Sequence, residues 1–139
     1  MKSFAVTTSI RATPERIWAI LTDAERYPAW NPTVTRIEGN IAPRERVVMH
    51  VAMTKGRAFP VTVSQFEPAR RMTWEGGLPL GLFKGVRTFT LTPHAAGTVD
   101  FAMREEFSGL LAPLIGRSIP DLQPAFNEFA AALKREAER

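Results

Sequence analysis

Alternation of apolar and polar residues, the pattern typical of a half-buried β-strand, recurs along most of this chain. The pattern predicts seven strands, over residues 4–11, 33–39, 46–53, 59–66, 71–76, 85–92 and 99–107. The connections between them are short, so we expect consecutive strands after the first to be antiparallel neighbours.

The last twenty residues instead repeat their apolar side chains at helical spacing. This stripe, which predicts one long helix over residues 120–139, consists of Leu122, Phe126, Phe129, Ala130, Leu133 and Ala137. Two shorter helices are predicted between the first two strands. One begins with Thr13 as its N-cap and Pro14 in its first turn, and the other begins at Asp23 and is ended by Pro28.

The numbers of strands and helices predict how the layers pack. Seven strands spaced about 4.8 Å apart form a face roughly 30 Å wide, whereas one helix is about 10 Å wide. One long helix and two short ones cannot cover a flat face of that width. We therefore expect an α+β fold in which a seven-stranded antiparallel sheet curves around the C-terminal helix. The interior space of such a fold is filled either by side chains or by a ligand.

Several stretches of the chain resemble one known superfamily. They are residues 10–23 (IRATPERIWAILTD), 27–32 (YPAWNP), 89–91 (FTL), 97–98 (GT) and 105–109 (EEFSG). These stretches are similar to the SRPBCC superfamily of START-like proteins related to birch-pollen allergen, and most similar to its polyketide cyclase/dehydrase-like branch. The resemblance spans nearly the whole chain and implies a helix-grip fold with a cavity between the sheet and the last helix. It implies no particular reaction, because members bind, carry or transform very different apolar molecules.

Composition sets limits on the compartment and the partners. A chain of 139 residues, 45% hydrophobic and 23% charged, is expected to form one globular domain over residues 1–139. It has no cysteine, and its first residues lack the apolar stretch of a signal peptide, so we expect a cytoplasmic protein. The net charge of +4 comes from cations spread singly along the chain. We therefore expect no nucleic-acid partner and no stable membrane insertion, and a homodimer stays open.

One hairpin offers a charged pair for the interior. If Leu91 opposes Val99, Arg87 opposes Met103 and lies one diagonal step from Glu105 on the concave face. A charge that faces an apolar interior is costly unless it is paired. The two residues form either a structural ion pair or a polar anchor for a ligand's carbonyl, hydroxyl or carboxylate group, and the two roles are compatible.

Large apolar side chains are expected to converge on the same interior. Either they fill it as a solid core or they line a ligand cavity, with methionines as adaptable fillers. The candidate ligand-binding residues are Trp30, Met49, Trp74, Leu78, Leu80, Phe83, Arg87, Phe89, Phe101, Met103, Glu105, Phe126 and Phe129.

Two connections are unusually rich in leucine. Residues 76–83 join two strands, and residues 108–116 join the last strand to the last helix. Loops are usually polar, so this much leucine needs a partner surface. We expect the two loops either to form the mouth and lid of the cavity or to fold over its open end as permanent core.

Catalytic and metal-binding patterns are sparse. The chain has two histidines, no serine nucleophile in a recognisable context, no metal-ligand spacing and no phosphate loop. We expect no metal and no cofactor. The predicted function is binding of a small lipid-, polyketide- or quinone-like molecule. One alternative is a cofactor-independent cyclase/aromatase or dehydratase using Glu105, Glu75, Arg87 or Tyr27 as acid or base. The other is a non-catalytic interaction or chaperone module that docks through the leucine-rich loops.

Overall fold

A single antiparallel sheet of seven strands forms the framework of the protein. The computed structural model describes residues 2–54 and 57–139. The strands are β1 (Lys2–Ile10), β2 (Val34–Glu38), β3 (Arg46–Val51), β4 (Arg57–Glu67), β5 (Arg71–Leu78), β6 (Phe83–Pro93) and β7 (Val99–Ser108). Their order across the sheet is β1-β7-β6-β5-β4-β3-β2, so every pair except β1–β7 is consecutive in the sequence. The sheet curls around the C-terminal helix, as the width argument predicted.

Two α-helices lie between β1 and β2, and two more follow β7. They are α1 (Pro14–Leu21), α2 (Tyr27–Trp30), α3 (Ala112–Ile115) and α4 (Gln123–Ala137). Short 3-10 turns cover Ala24–Arg26, Ala52–Thr54 and Gly116–Ser118. The predicted start of α1 is confirmed, because the Thr13 hydroxyl accepts a hydrogen bond from the backbone N–H of Arg16 at 3.1 Å.

Several predicted boundaries were wrong. β5 reaches Leu78 and β6 begins at Phe83, so the loop predicted over residues 76–83 shortens to residues 79–82. Pro28 was expected to end a helix, but it lies inside α2, where its missing N–H is harmless because the first turn has no partner for it. The third strand was expected to reach Met53, but β3 ends at Val51 and Met53 lies in a 3-10 turn. In the last two places the local chain direction is set by contacts that alternation and proline position do not encode.

The long helix α4 lies along the edge strand β1. The Gln123 side chain donates to the carbonyl of Ala5 at 2.8 Å, and the Lys134 ammonium donates to the carbonyl of Ser9. These bonds use backbone acceptors that an edge strand would otherwise leave to solvent or to another chain. The apolar stripe of α4 faces the sheet as predicted, with Phe126, Phe129, Ala130, Leu133 and Ala137 buried and Leu122 partly buried.

The hairpin of β6 and β7 has a register two residues away from the predicted one. Leu91 opposes Phe101 instead of Val99, and Arg87 directly opposes Glu105 instead of lying one diagonal step away. The prediction treated Pro93 as the start of the turn. Pro93 instead ends β6 opposite Val99, and the turn closes through a bond of 2.8 Å from the His94 N–H to the Thr98 carbonyl. The shift of two preserves the face that each side chain occupies.

Candidate functional site

A cluster of aromatic rings fills one half of the concave side, next to α1 and α2. Phe129 of α4 is at its centre, with its ring centroid 5.7–6.3 Å from the rings of four other residues: Tyr27, Trp30, Phe89 and Phe101. Trp74 continues the cluster at 4.7 Å from Phe89. At these separations the rings are in contact. We call this part of the concave face the inner half, and it is packed by side chains.

The other half of the concave face, toward the end of β5, is only partly covered. On β3, β4 and β5 the strand register turns five residues toward the concave side there: Val51, Phe59, Val61, Gly76 and Leu78. All five are partly or well exposed, with Phe59 37% and Leu78 48% accessible. We call these five residues the outer groove. They form an apolar surface that α4 leaves open because α4 lies over the opposite edge of the sheet.

Two stacked phenylalanines form the wall of the outer groove on the side of α4. Phe83 and Phe107 stack with their centroids 5.8 Å apart and their planes 15° apart, and Phe4 meets Phe107 edge-on. Gly85 lies under this wall, because a Cβ built on it would lie 3.0 Å from the Phe107 ring. Glycine is needed at position 85 for the ring to lie this close to the sheet.

An ion pair lies between the packed half and the open half. The Arg87 Nε donates to Glu105 Oε1 at 2.7 Å, and the two side chains are 14% and 15% exposed. The Arg87 guanidinium also lies over the ring of Phe126, 4.9 Å from its centroid. Within residues 2–54 and 57–139, Arg87 makes no second hydrogen bond from its terminal nitrogens. Those terminal nitrogens are donors that the described residues leave unused.

Buried indole groups add unused donors in the same region. Trp74 is the direct cross-strand neighbour of Arg87, and its Nε1–H is buried without a partner among the described residues. Trp30 Nε1 and Asn31 Nδ2 are likewise buried without a hydrogen-bond partner among the described residues. A buried polar hydrogen that lacks an acceptor costs about 1–3 kcal/mol. An acceptor that reached Trp74 would recover part of that free energy.

The comparisons with known proteins agree with this architecture. A family model described as polyketide cyclase / dehydrase and lipid transport matches residues 1–138. The chain belongs to this family. No protein in the curated set matches the chain.

Solved structures show the same fold at low sequence identity. A hypothetical protein from Helicobacter pylori is 13% identical with a TM-score of 0.80, over 98% of this chain and 88% of that one. A START superfamily protein from Mycobacterium smegmatis is 18% identical with a TM-score of 0.70, over 98% and 97%. DynU16, a protein of the dynemicin biosynthetic locus, is 20% identical with a TM-score of 0.72, over 97% of this chain and 46% of that one. At these identities the likeness concerns the fold alone.

The structure separates the candidate ligand-binding residues of this family member into three groups. Eight are buried in the core: Trp30, Met49, Trp74, Phe89, Phe101, Met103, Phe126 and Phe129. Three are partly exposed where the core ends: Phe83, Arg87 and Glu105. Two are exposed: Leu78 and Leu80. The buried aromatic residues contact one another, so any surface they offer a ligand is limited to their outer edge.

Of the four acid–base candidates, the structure brings only Arg87 and Glu105 together. The Tyr27 side chain is fully buried, and its hydroxyl donates to the Leu21 carbonyl at 2.6 Å. Burial raises the pKa of Tyr27 far above its ordinary value, which keeps the hydroxyl protonated. Glu75 alternates with the concave residue Trp74, so it lies on the convex side, where it pairs with Lys84 at 3.2 Å. Glu105 is the only one of the three that lies beside the groove, and it is paired with Arg87.

The leucine-rich loops lie side by side. The Leu110 N–H donates to the Gly81 carbonyl at 3.1 Å, and the Leu111 N–H donates to the Leu82 carbonyl at 2.7 Å. Four leucines in or beside these loops are exposed: Leu78 at the end of β5, Leu80, Leu110, and Leu114 in α3. The reading of the loops as permanent core was therefore wrong for these four, whereas a role as a lid stays a prediction.

Open clefts occur elsewhere on the protein as well. One of about 470 Å³ lies between the Ala24–Pro28 stretch and the Arg36–Asn40 stretch. Another of about 440 Å³ lies between α1 and the end of α4 and includes Arg16, Arg26 and Glu136. Both are open to solvent, and neither contains the Arg87–Glu105 pair. Among the described residues, no group of three histidine, aspartate or glutamate side chains is placed to hold a metal ion. The described helices include none long and apolar enough to cross a bilayer.

Sequence reasoning missed four residues that shape the groove: Phe4, Phe59, Val61 and Phe107. Phe107 follows Glu105 by two positions on β7, so alternation alone places both on one face. Phe59 and Val61 alternate in the same way on β4. The signal was present in the sequence, but it did not show that α4, held along β1, leaves this end of β4 and β5 uncovered.

Proposed function

We propose that this protein binds a small apolar molecule in the outer groove, with an oxygen atom of that molecule oriented by Arg87 and Trp74. The observation that carries the proposal is the largely buried Arg87–Glu105 pair at the inner end of an apolar surface left partly open. A ligand that buries about 200 Å² of apolar surface there gains roughly 5 kcal/mol before the costs of association.

The chemistry of the pair indicates which oxygen fits. Glu105 already neutralises Arg87 and would repel a second carboxylate nearby. A neutral carbonyl or hydroxyl oxygen can accept from the unused Arg87 donors without displacing Glu105, and from the buried Trp74 Nε1–H once a neighbouring side chain moves aside. The proposal is therefore for a neutral, oxygen-bearing apolar molecule, which is compatible with the polyketide and lipid classes in the family description.

This geometry favours binding over turnover. The Tyr27 hydroxyl is engaged, Glu75 lies on the other side of the sheet, and Glu105 is held by a cation. A cyclase or dehydratase needs a free acid or base at the reacting carbon. No described side chain in the outer groove supplies one, so the proposal includes no reaction.

Proton–nitrogen NMR with acetylnaphthalene as the probe tests the proposal. The probe's carbonyl is expected to shift the Trp74 indole signal and the amides of Gly76 and Gly85. The Trp18 indole is an internal control, because Trp18 packs against Phe66 away from the groove. Naphthalene, which lacks the oxygen, is expected to bind more weakly and to leave the Trp74 indole signal nearly unchanged.

A pair of neighbouring substitutions locates the binding surface. Val61→Lys places a charge in the outer groove, whereas Thr62→Lys places the same charge on the opposite face of β4. Probe binding is expected to fall at least roughly tenfold in Val61→Lys and to stay unchanged in Thr62→Lys. Equal probe affinity in the two variants, with both folded by circular dichroism, would contradict the proposed site.

A further inference from the structure

The two leucine-rich loops carry apolar side chains that stay exposed when the chain folds, so packing of the core does not explain them. We call the exposed side chains of Leu78, Leu80, Leu110 and Leu114 the leucine tip. Leu80 is 91% exposed, Leu110 80% and Leu114 68%, so folding buries little of their surface. The loops that carry them are joined by backbone hydrogen bonds, so the four side chains belong to one surface. A cluster of large exposed apolar residues marks an interaction site.

The backbone at Leu80 strengthens this reading. The turn that spans residues 79–82 closes with a bond from the Leu82 N–H to the Pro79 carbonyl, and φ is positive at both central residues, 60° at Leu80 and 71° at Gly81. Turns of this class prefer Asn, Asp or Gly at the first central position, because a branched side chain is strained there. Leucine at position 80 therefore neither suits the observed backbone conformation nor adds buried surface to the core.

Cations outnumber acids around the leucine tip. The segments 76–84 and 108–120 contain Lys84 and Arg117 and no aspartate or glutamate, although Lys84 pairs with Glu75, just before the first segment, at 3.2 Å. The Lys2 ammonium joins them, because it donates to the carbonyls of Gly116 and Ile119 next to the second segment. Leucines flanked by cations match a bilayer surface with anionic headgroups, which takes up apolar side chains and attracts lysine and arginine.

We propose that the leucine tip docks the protein on anionic lipid bilayers as a peripheral contact. Leu80 and Leu110 enter the boundary between headgroups and acyl chains, while Arg117 lies at the level of the headgroups with Lys2 beside it. A second copy of the chain fits less well, because two such surfaces would bring like charges together. The tip adjoins the outer groove through Leu78, so docking holds the groove's open end at the lipid surface.

Vesicle flotation with the purified full chain tests this docking. Vesicles of equal parts phosphatidylglycerol and phosphatidylcholine are expected to carry the protein with them, and vesicles of phosphatidylcholine alone much less. High salt is expected to weaken the binding to the anionic vesicles, because the headgroup attraction is screened. Failure of the wild-type chain to bind the anionic vesicles at low salt would overturn the proposal.

Leu80→Asn separates docking from folding. Asparagine suits the positive φ at position 80, so this variant is expected to melt at the same temperature as the wild type or higher. Its affinity for anionic vesicles is expected to fall roughly tenfold, the value of one buried leucine side chain. Unchanged vesicle affinity in Leu80→Asn would rule out the tip as the docking surface.

A matched charge reversal tests the flanking cations. Arg117→Glu is expected to lower the affinity for anionic vesicles roughly tenfold or more, because it replaces an attraction with a repulsion. Arg70→Glu makes the same charge change in the exposed turn before β5, at the opposite end of that strand from Leu78, and is expected to leave the affinity unchanged. Equal losses in the two variants would mean that net charge, and not the tip, attracts the protein.

Sedimentation without lipid tests the rival occupant. A concentration-dependent dimer that Leu80→Asn dissociates, together with no vesicle binding, would assign the tip to a second copy and overturn the bilayer proposal. Because flotation uses no apolar probe, its result is independent of whether the outer groove binds acetylnaphthalene.

Discussion

The two halves of the concave face belong to one sheet and differ in what covers them. In the inner half, rings from β5, β6, β7, α2 and α4 meet around Phe129, and every one of them is buried. In the outer half, the register still turns Phe59 and Leu78 inward, yet both are substantially exposed. The difference shows that strand alternation decides which face a side chain takes, whereas the helices above decide whether that face is closed.

Truncation at the centre of the inner half should have the largest effect on stability. Phe129→Ala removes the ring that four neighbours contact, and a rigid cluster cannot collapse to fill the space. We expect a loss of about 4 kcal/mol in the free energy of unfolding, measured by urea denaturation.

The same truncation in the outer half gives the contrast. Phe59→Ala removes a ring that is 37% exposed, and its expected cost is about 1 kcal/mol. Similar losses in Phe129→Ala and Phe59→Ala would break the distinction between a packed half and an open one.

Much of the fold beneath this distinction could be predicted from the sequence. Alternation gave the seven strands, and helical spacing gave the stripe of α4, because both periods are local properties of the backbone. The concave positions of Arg87, Phe89, Phe101 and Glu105 followed from the same rule. They survived the error in the hairpin register because that error was an even number of residues.

The degree of filling could not be predicted in the same way. It depends on where α4 crosses the sheet, and the bonds from Gln123 and Lys134 to β1 that hold it over one edge are long-range. The positive φ of Leu80 was equally hidden, since leucine is a residue for which that backbone conformation is unexpected. The position of α4 and the backbone conformation at Leu80 both depend on tertiary contacts that local sequence patterns do not reveal. These contacts decide which residues line the groove.

At the boundary between the two halves, removing one charge should cost less than removing the central ring. Arg87→Met leaves Glu105 without its partner in a largely buried position. We expect a loss of about 2 kcal/mol in the free energy of unfolding, below the usual cost for a fully buried pair because both side chains keep some solvent contact. Urea denaturation at neutral pH measures it.

The double variant distinguishes the structural role from the ligand-orienting role. Arg87→Met combined with Glu105→Leu removes both charges, and its stability is expected to return to within about 1 kcal/mol of the wild type. Acetylnaphthalene binding should stay weakened in the double variant if Arg87 orients the ligand. Full recovery of both properties would make the pair structural only.

Replacing glycine by alanine at two positions tests how closely the wall of the outer groove packs on the sheet. In Gly85→Ala the new Cβ would lie 3.0 Å from the Phe107 ring, so the Phe83–Phe107 stack must shift, at an expected cost of about 1 kcal/mol. Gly116→Ala meets no atom within 4 Å and has a helical φ of −56°, so it should gain roughly 0.5 kcal/mol. The melting temperature should fall in Gly85→Ala and rise in Gly116→Ala. A lower melting temperature in both variants would mean that contact with the Phe83–Phe107 stack is not the cause of the loss.

The smallest expected effect concerns Glu138, which caps the C-terminal end of α4 and links that end to Arg11 after β1. We call this link the anchor of α4. Glu138 Oε2 accepts from the backbone N–H of Arg11 at 2.8 Å and from the Lys134 ammonium at 2.9 Å, and these bonds lower the pKa of Glu138 below its ordinary 4.5. A carboxylate whose pKa is lowered by folding stabilises the folded state above pH 4.5, and this stabilisation is lost as the pH falls through the lower pKa of the folded state. Glu138→Gln should therefore melt below the wild type at neutral pH, with a gap that closes under acid conditions. Glu128→Gln, on the exposed side of α4, is the control, and its melting temperature should follow that of the wild type at every pH. A difference in melting temperature between Glu138→Gln and the wild type that does not change with pH would show that the anchor acts through shape and not through charge.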